Sequence, residues 1–293
     1  MNGKLLITGA TGQVGRYLLH ALGVEGRPNV RALVRREGSG LPVETHCAAF
    51  ADLDARPEIM EGVGCVIHLA AHMGKGSLSR HREVTVEGTA RLLEAAEAAG
   101  VERFLFVSSI AAGFEPRVLQ PYPYAVAKRE AEALVVASRM QTLILRPTLI
   151  LGRGLSGHEA LMRLAAMPVT PLFGDAELQP IDVRDIARAI LWALDHETLD
   201  GRILDVGGPA RIKMSELLHR MRGGRARMLR LPGTLVAMAL GFVEPVLRPL
   251  LPLTAGQIQT FMQPGVAENN SLMERLVKSM IPLEKTLQGA SRE

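Results

Sequence analysis

The sequence predicts a doubly wound α/β fold, a parallel sheet covered by helices on both faces, and three observations predict it. Short apolar runs alternate with helical patterns through most of the chain. A glycine-spaced turn, Thr8-Gly9-Ala10-Thr11-Gly12-Gln13-Val14-Gly15, follows directly on the first run, Lys4-Leu5-Leu6-Ile7. A Tyr-x-x-x-Lys pair, Tyr124 and Lys128, opens a later helix in the same alternation. Runs that are apolar throughout suit strands buried on both faces, and the right-handed crossover rule sets the hand of their connections. The class is Rossmann-like, with a smaller, mostly helical lobe toward the C-terminus.

Strands are expected at Lys4 to Thr8, Val30 to Val34, Cys65 to Leu69, Phe104 to Ser108, Thr142 to Leu145 and Ile203 to Val206, with another around Cys47. The first helix starts near Gln13. A second, Val84 to Ala99, carries Val86, Ala90, Leu93 and Ala96 at three- and four-residue spacing, and Gly100 stops it. A third, Ala125 to Met140, carries Ala127, Ala131, Leu134 and Val135 on one face. After Arg146-Pro147 the texture becomes rich in glycine and proline. The segment Pro180-Ile181-Asp182-Val183-Arg184-Asp185 then returns to the sheet and begins a helix through about Leu194. Residues 1–150, with the returning segment 180–208, are therefore expected to bind a nucleotide, and residues 151–179 and 209–293 to form the second lobe.

At 293 residues and a formal charge of +4 the chain is mildly basic, but its aromatic content of 4% is too sparse for stacking platforms, which argues against nucleic acid as a partner. The glycine turn leaves no room for an apolar secretory segment before it, so a cytoplasmic location is expected. Cys47 and Cys65 fall on the third and fourth strands, which a 3-2-1-4 order sets roughly 14 Å apart, too far for a disulfide. The longest apolar stretch, Thr234 to Val243, is too short to span a bilayer and is bracketed by Pro232 and Pro245.

Gly9 allows a tight turn out of the first strand, Gly12 lets the backbone approach a pyrophosphate, and Gly15 lets the following helix pack closely on the sheet. The phosphates would meet the unpaired N–H groups and positive dipole end of the helix at Gln13. Tyr124 and Lys128 share one helix face, so the ammonium would favour the phenolate and lower its pKa toward a range useful for proton transfer. Surface decoration is the plain alternative. The preceding strand end, Val107-Ser108-Ser109, adds a hydroxyl at the sheet edge where such folds gather their sites. Arg35 and Arg36 end the second strand, and no acid stands there until Glu37. Guanidinium at this position matches a ribose 2′-phosphate and favours NADP(H) over NAD(H); two solvated loop arginines are the other reading. His68 and His72 have the spacing of helical metal ligands but fall on a strand end and loop with no third ligand near, so no metal is expected. Arg220, Arg222, Arg225, Arg227 and Arg230 form a dense basic run, read either as a solvated face or as a contact for an anionic substrate or acidic membrane.

With these motifs in view, the chain resembles the extended short-chain dehydrogenases/reductases often labelled NAD-dependent epimerase/dehydratase. The resemblance implies that residues Gly9, Thr11, Gly12, Gln13, Val14 and Gly15 hold the pyrophosphate, that Asp52 and Leu53 contact the adenine, and that Leu69, Ala70 and Ala71 line the cofactor after His68. It implies Ser109, Tyr124 and Lys128 as the catalytic serine, tyrosine and lysine, with Tyr124 and Lys128 also at the cofactor and the lysine on its ribose. Arg146-Pro147 resembles the step into the substrate lobe, with Pro147 beside the cofactor. A homodimer through the helices near 84 to 99 and 125 to 140 is usual for the family. One departure stands out: the usual Asn-Val-x-Gly-Thr reads Thr85-Val86-Glu87-Gly88-Thr89 here. The tail, Pro232 to Leu240 with Pro245, Pro249 and Pro252 and then Leu253-Thr254-Ala255-Gly256-Gln257, is similar to bacterial relatives of the nucleotide-binding accessory subunit of respiratory complex I.

The leading expectation is an NADP(H)-linked oxidoreductase acting on a carbonyl or secondary alcohol. The same three side chains also serve an epimerase or dehydratase that retains its cofactor. A non-catalytic nucleotide-binding protein, an accessory subunit or a sensor, is the reading from another class. The Leu- and Met-rich tail suggests a lipid-like or quinone-like small-molecule substrate, or peripheral contact with the inner face of a membrane.

Overall fold

The computed structural model describes residues 3–27, 29–114, 122–196, 201–225, 227–247 and 254–289. The chain begins β1 (Lys4–Thr8), α1 (Gln13–Val24), β2 (Val30–Val34), β3 (Glu44–Cys47) and β4 (Val63–His68). It continues with α2 (Leu78–His81), a π-helical turn (Arg82–Glu87), α3 (Gly88–Ala98), β5 (Arg103–Val107), α4 (Pro123–Ala137) and β6 (Gln141–Pro147). Then come β7 (Ile150–Leu151), α5 (Ser156–Ala166), β8 (Thr170–Leu172), β9 (Glu177–Leu178), β10 (Ile181–Asp182), α6 (Val183–Leu194) and β11 (Arg202–Val206). The remainder is β12 (Ile212–Lys213), α7 (Met214–Arg222), β13 (Met228–Arg230), α8 (Gly233–Leu247), α9 (Ala255–Thr260), α10 (Ser271–Leu276) and α11 (Leu283–Gly289).

Seven strands form one parallel sheet in the order β11-β6-β5-β4-β1-β2-β3. From β1 the chain winds outward to β3, crosses back to β4 and winds the other way, so the topological switch lies between β1 and β4. Successive side chains of a strand point to opposite faces, which is why continuous apolar runs are needed. Leu5 and Ile7 join one layer with Leu18 and Leu22 of α1 and Ile186 and Ile190 of α6. Leu6 joins the other with Phe104, Phe106, Leu92 of α3 and Val135 of α4. Cys47 and Cys65 stand three strands apart and are both free.

The helix expected from Val84 begins earlier, at Leu78, where the Ser77 hydroxyl accepts from the Arg80 N–H. It widens into the π turn over Arg82–Glu87 before α3 resumes. Helix α4 likewise starts ahead of Ala125, because Pro123 takes its first turn, where the missing N–H costs nothing.

The second lobe has its own core, in which Leu161 and Ala165 of α5 meet Leu217, Leu218 and Met221 of α7. Three two-stranded ribbons, β10-β7, β12-β9 and β13-β8, frame it. Residues 271–280, assigned above to this lobe, instead return to the main sheet. Leu272, Met273, Leu276 and Met280 join the layer of α1 and α6, and the Gly207 N–H points at Met273 Sδ at 3.3 Å. Pro249, Pro252 and Leu253 of the tail lie outside the described residues.

Candidate active site

The glycine turn connects β1 to α1 at the switch point. Gly9 has φ +71°, a left-handed conformation open to glycine, and a Cβ there would lie 2.7 Å from the Ala70 nitrogen. A Cβ on Gly15 would lie 2.6 Å from Ala10 Cα and from the Gly9 carbonyl oxygen, so this glycine lets α1 close onto the turn. At Gly12 a Cβ would meet only the Gly9 oxygen, at 3.2 Å, which leaves its outer side open to a ligand. Gly12 is also the N-cap of α1 and has no side chain to cap the first N–H groups, at Gln13 and Val14. These features fit a dinucleotide pyrophosphate at the helix N-terminus. Thr11 contributes a carbonyl that accepts from Arg16 Nε at 3.2 Å. The Val14 and Leu69 side chains pack on the core, which leaves their backbones at the cradle. The Gln13 side chain reaches across to Gly154 in the second lobe.

Arg35 and Arg36 are exposed at the end of β2, and neither forms an ion pair among the described residues. A cavity of about 350 Å³ opens beside them, lined by Val34, Glu37, Ser39, Cys47 and Arg56. Arg56 was not singled out in the sequence; it donates to the Cys47 carbonyl at 2.8 Å and to Glu58 at 2.9 Å. Asp52 is exposed and accepts from the Ala49 N–H at 3.3 Å, while the Leu53 side chain is buried in the core.

At the C-terminal edge of β5, Ser109 caps a short 3₁₀ turn by accepting from the Ala111 N–H, and its hydroxyl stands near enough to the Tyr124 phenol to act on its pKa. Lys128, one turn along α4, is fully buried. Its Nζ donates to the Val107 carbonyl at 2.8 Å and lies 4.4 Å from the centre of the Phe106 ring. Burial brings the Lys128 pKa down to about 7, against the pull of Glu132. The expected lowering of the Tyr124 phenol by Lys128 is not what the structure shows. Burial pushes the phenol up to about 12, with the Ser109 hydroxyl opposing. The reason is geometric: the ammonium is held by a strand-end carbonyl and an aromatic face, so desolvation dominates at the phenol.

Below the cradle, His68 ties three elements together. Thr89 Oγ1 donates to the Thr85 carbonyl at 2.5 Å, so it accepts from His68 Nε2–H at 3.0 Å. His68 Nδ1 then accepts from Thr8 Oγ1 at 2.6 Å, and that oxygen accepts from the Ala70 N–H at 3.3 Å. Burial lowers the His68 pKa to about 3, with Lys128 adding to the effect, and the ring is neutral. Both nitrogens are engaged, and among the described residues no three metal-ligating side chains converge. Thr85, which stands where the family's asparagine is usual, accepts from the His72 N–H at 3.1 Å and so anchors the loop after β4.

The neighbours of Tyr124 were not legible as such in the sequence, where His72 stood out only for its spacing from His68. His81 stands edge-on to its ring at 6.3 Å, His72 lies 4.6 Å beyond, and Tyr122 flanks it at 5.7 Å. Glu132 was legible only as one helical turn from Lys128; it takes both Nε and Nη2 of Arg146, at 2.9 and 2.5 Å, and locks α4 to β6 ahead of Pro147.

Comparison with known proteins gives this arrangement its setting. A ceramide reductase from Caulobacter vibrioides is 35% identical over 252 residues, 81% of this chain and 77% of that protein. The UDP-glucose 4-epimerase of Vibrio cholerae is 27% identical over 249 residues, 74% of each. The structure of MoeE5 in complex with UDP-glucose and NAD shares the fold, with a TM-score of 0.73 at 21% identity over 98% of this chain and 97% of the other. The model of the NAD dependent epimerase/dehydratase family matches residues 5–207, a span running from β1 to β11. Every element that shapes the glycine cradle or carries Ser109, Tyr124 and Lys128 falls within that span, and the chain belongs to the NAD dependent epimerase/dehydratase family.

Proposed function

We propose that this protein is an NADP(H)-dependent reductase of a ketone on a ceramide-like lipid. The observation that carries the reading is that Ser109, at the end of β5, stands by Tyr124, which lies one turn ahead of a Lys128 whose Nζ is fixed on the Val107 carbonyl of the same strand end. A protonated phenol beside a hydroxyl donor is the acid form required when a carbonyl oxygen gains charge. Bound NADPH supplies the hydride. Ser109 orients the carbonyl and stabilises its developing negative charge, and Tyr124 gives its proton to that oxygen to leave a secondary alcohol. Lys128, fixed on the Val107 carbonyl, would meet the ribose of the bound nucleotide, and the phenolate that remains regains its proton from solvent. Arg35 and Arg36 support NADP(H), since each presents a guanidinium without a carboxylate partner where a 2′-phosphate would lie. The lipid class is supported by the 35% identity to the ceramide reductase. A ceramide bears a secondary alcohol, and the matching ketone is the carbonyl such a site would reduce.

The test is NADPH oxidation with an N-acyl 3-keto sphingoid base in detergent micelles. Turnover to the alcohol is expected, and Tyr124→Phe should lose about 10²–10⁴-fold in kcat while binding NADPH as before. Undiminished turnover in the variant would remove Tyr124 from the chemistry. Inertness toward the lipid ketone, with interconversion of UDP-sugars and no net nucleotide oxidation, would establish the epimerase reading instead.

A further inference from the structure

Helix α8 is apolar on both its inner and its outer side. Small residues, Gly233, Ala237 and Gly241, are the ones buried outright, and the helix packs against Phe173, Ala255 and Ile258. At Gly233 a Cβ would collide with the Phe173 carbonyl, so the helix start is pressed close to its neighbour. Val236 and Leu240 are half-buried against the same cluster, whereas four other bulky apolar residues face outward: Leu235 is 63% exposed and Phe242 84%, with Met238 and Val243 also exposed. Leu235, Met238 and Phe242 stand three and four residues apart on one side. From Leu231 to Val243 there is no charged residue. The segment leading into α8 has the opposite character. Arg225, Arg227 and Arg230 are exposed and none pairs with a carboxylate among the described residues, while Leu229 between them is 52% exposed. Beside them, across the β13-β8 ribbon, Met167 and Val169 are also exposed, and Arg222 is fastened to the Met167 carbonyl at 2.7 Å.

We infer that this face of the second lobe docks on an anionic lipid bilayer, with α8 lying in the interface and the arginines meeting acidic headgroups. An apolar helix face next to unpaired guanidinium groups suits a surface that is oily inside and negative outside. At 15 residues α8 measures roughly 22 Å, too short to span the hydrocarbon, and no helix among the described residues is long and apolar enough to cross a membrane. A second copy of the chain fits less well, because a two-fold interface on this face would bring the arginine sets of both copies together. The inference deepens the lipid-ketone reading and rests on it for its sense: a ceramide-like substrate resides in a bilayer, and docking brings the second lobe to it.

The experiment is co-sedimentation of the full chain with phosphatidylcholine vesicles, with and without phosphatidylglycerol, alongside reduction of a short-chain, water-soluble ketone analogue. The protein should sediment with the phosphatidylglycerol vesicles and much less with phosphatidylcholine alone. Leu235→Ser combined with Phe242→Ser, and separately Arg225→Gln combined with Arg227→Gln, should each weaken vesicle binding at least about tenfold. Turnover of the soluble analogue and NADPH affinity should be unchanged in both variants, which shows that they fold. Recovery of wild-type protein in the supernatant with every vesicle would overturn the inference even if the soluble ketone is reduced. So would a dimer in light scattering that dissociates in the Leu235/Phe242 variant while vesicles are ignored. Vesicle binding with the predicted variant losses but no ketone turnover would uphold the docking face and remove the substrate reading.

Discussion

His68 shows what a single buried ring can impose. It joins the end of β1, the loop after β4 and the start of α3 through two threonine hydroxyls, and it does so only when neutral. Its pKa is about 6.5 when unfolded and about 3 in the fold, so between those values the unfolded chain binds the extra proton and stability falls as pH falls. Lys128 acts in the same sense at higher pH: its pKa drops from 10.5 to about 7, so its burial costs less as pH rises through that interval. Urea unfolding between about pH 6.5 and 4 should show stability declining by at most roughly 1.4 kcal/mol per pH unit from His68. His68→Gln should start less stable but decline less steeply; parallel slopes would show that His68 does not carry the acid sensitivity. At this scale the sequence revealed the three catalytic candidates, because they sit in short motifs. It revealed neither His68's tautomer nor His81 beside Tyr124, because both depend on residues about twenty or more positions away meeting in space.

At the scale of elements, the proposed recognition of the nucleotide is divided between α1 and β2. In the reading proposed above, the N-terminus of α1 would serve any pyrophosphate, whereas the end of β2 would discriminate between the two nicotinamide nucleotides. Replacing Arg35 and Arg36 with alanine should weaken NADPH binding in a calorimetric titration by about tenfold or more and leave NADH nearly unchanged. Equal losses for both would sink the NADP(H) assignment. Helix periodicity found α3 but missed its beginning, since the π turn at Arg82–Glu87 shifts the hydrophobic register there. That widened turn carries Thr85 and adjoins His81, so the place where the regular pattern fails is also where the helix meets the site.

Across the whole molecule, the family match ends at residue 207, yet the fold does not. Helix α10 returns to cover the layer formed by α1 and α6, with Leu272 completely buried. Leu272→Ala should therefore destabilise the nucleotide domain itself by about 2–5 kcal/mol in chemical denaturation. A loss below about 1 kcal/mol would mean that the tail is an appendage. Composition after Arg146-Pro147 showed where the chain leaves the sheet, and the Pro180 to Asp185 segment showed where it returns. The second return, at 271–280, has no comparable local signature.

Local order came from the sequence itself: the strands, most helix faces, the glycine cradle and the Ser109, Tyr124 and Lys128 set. Each depends on residues within one turn or one strand, where spacing dictates geometry. Tertiary structure alone decided the partners: His81 against Tyr124, Glu132 on Arg146, the Lys128 ammonium on the Val107 carbonyl, and α10 on the sheet. It also decided the direction in which the Tyr124 pKa moves and the outward face of α8, because burial is a property of the packed chain and cannot be read from one segment's own spacing.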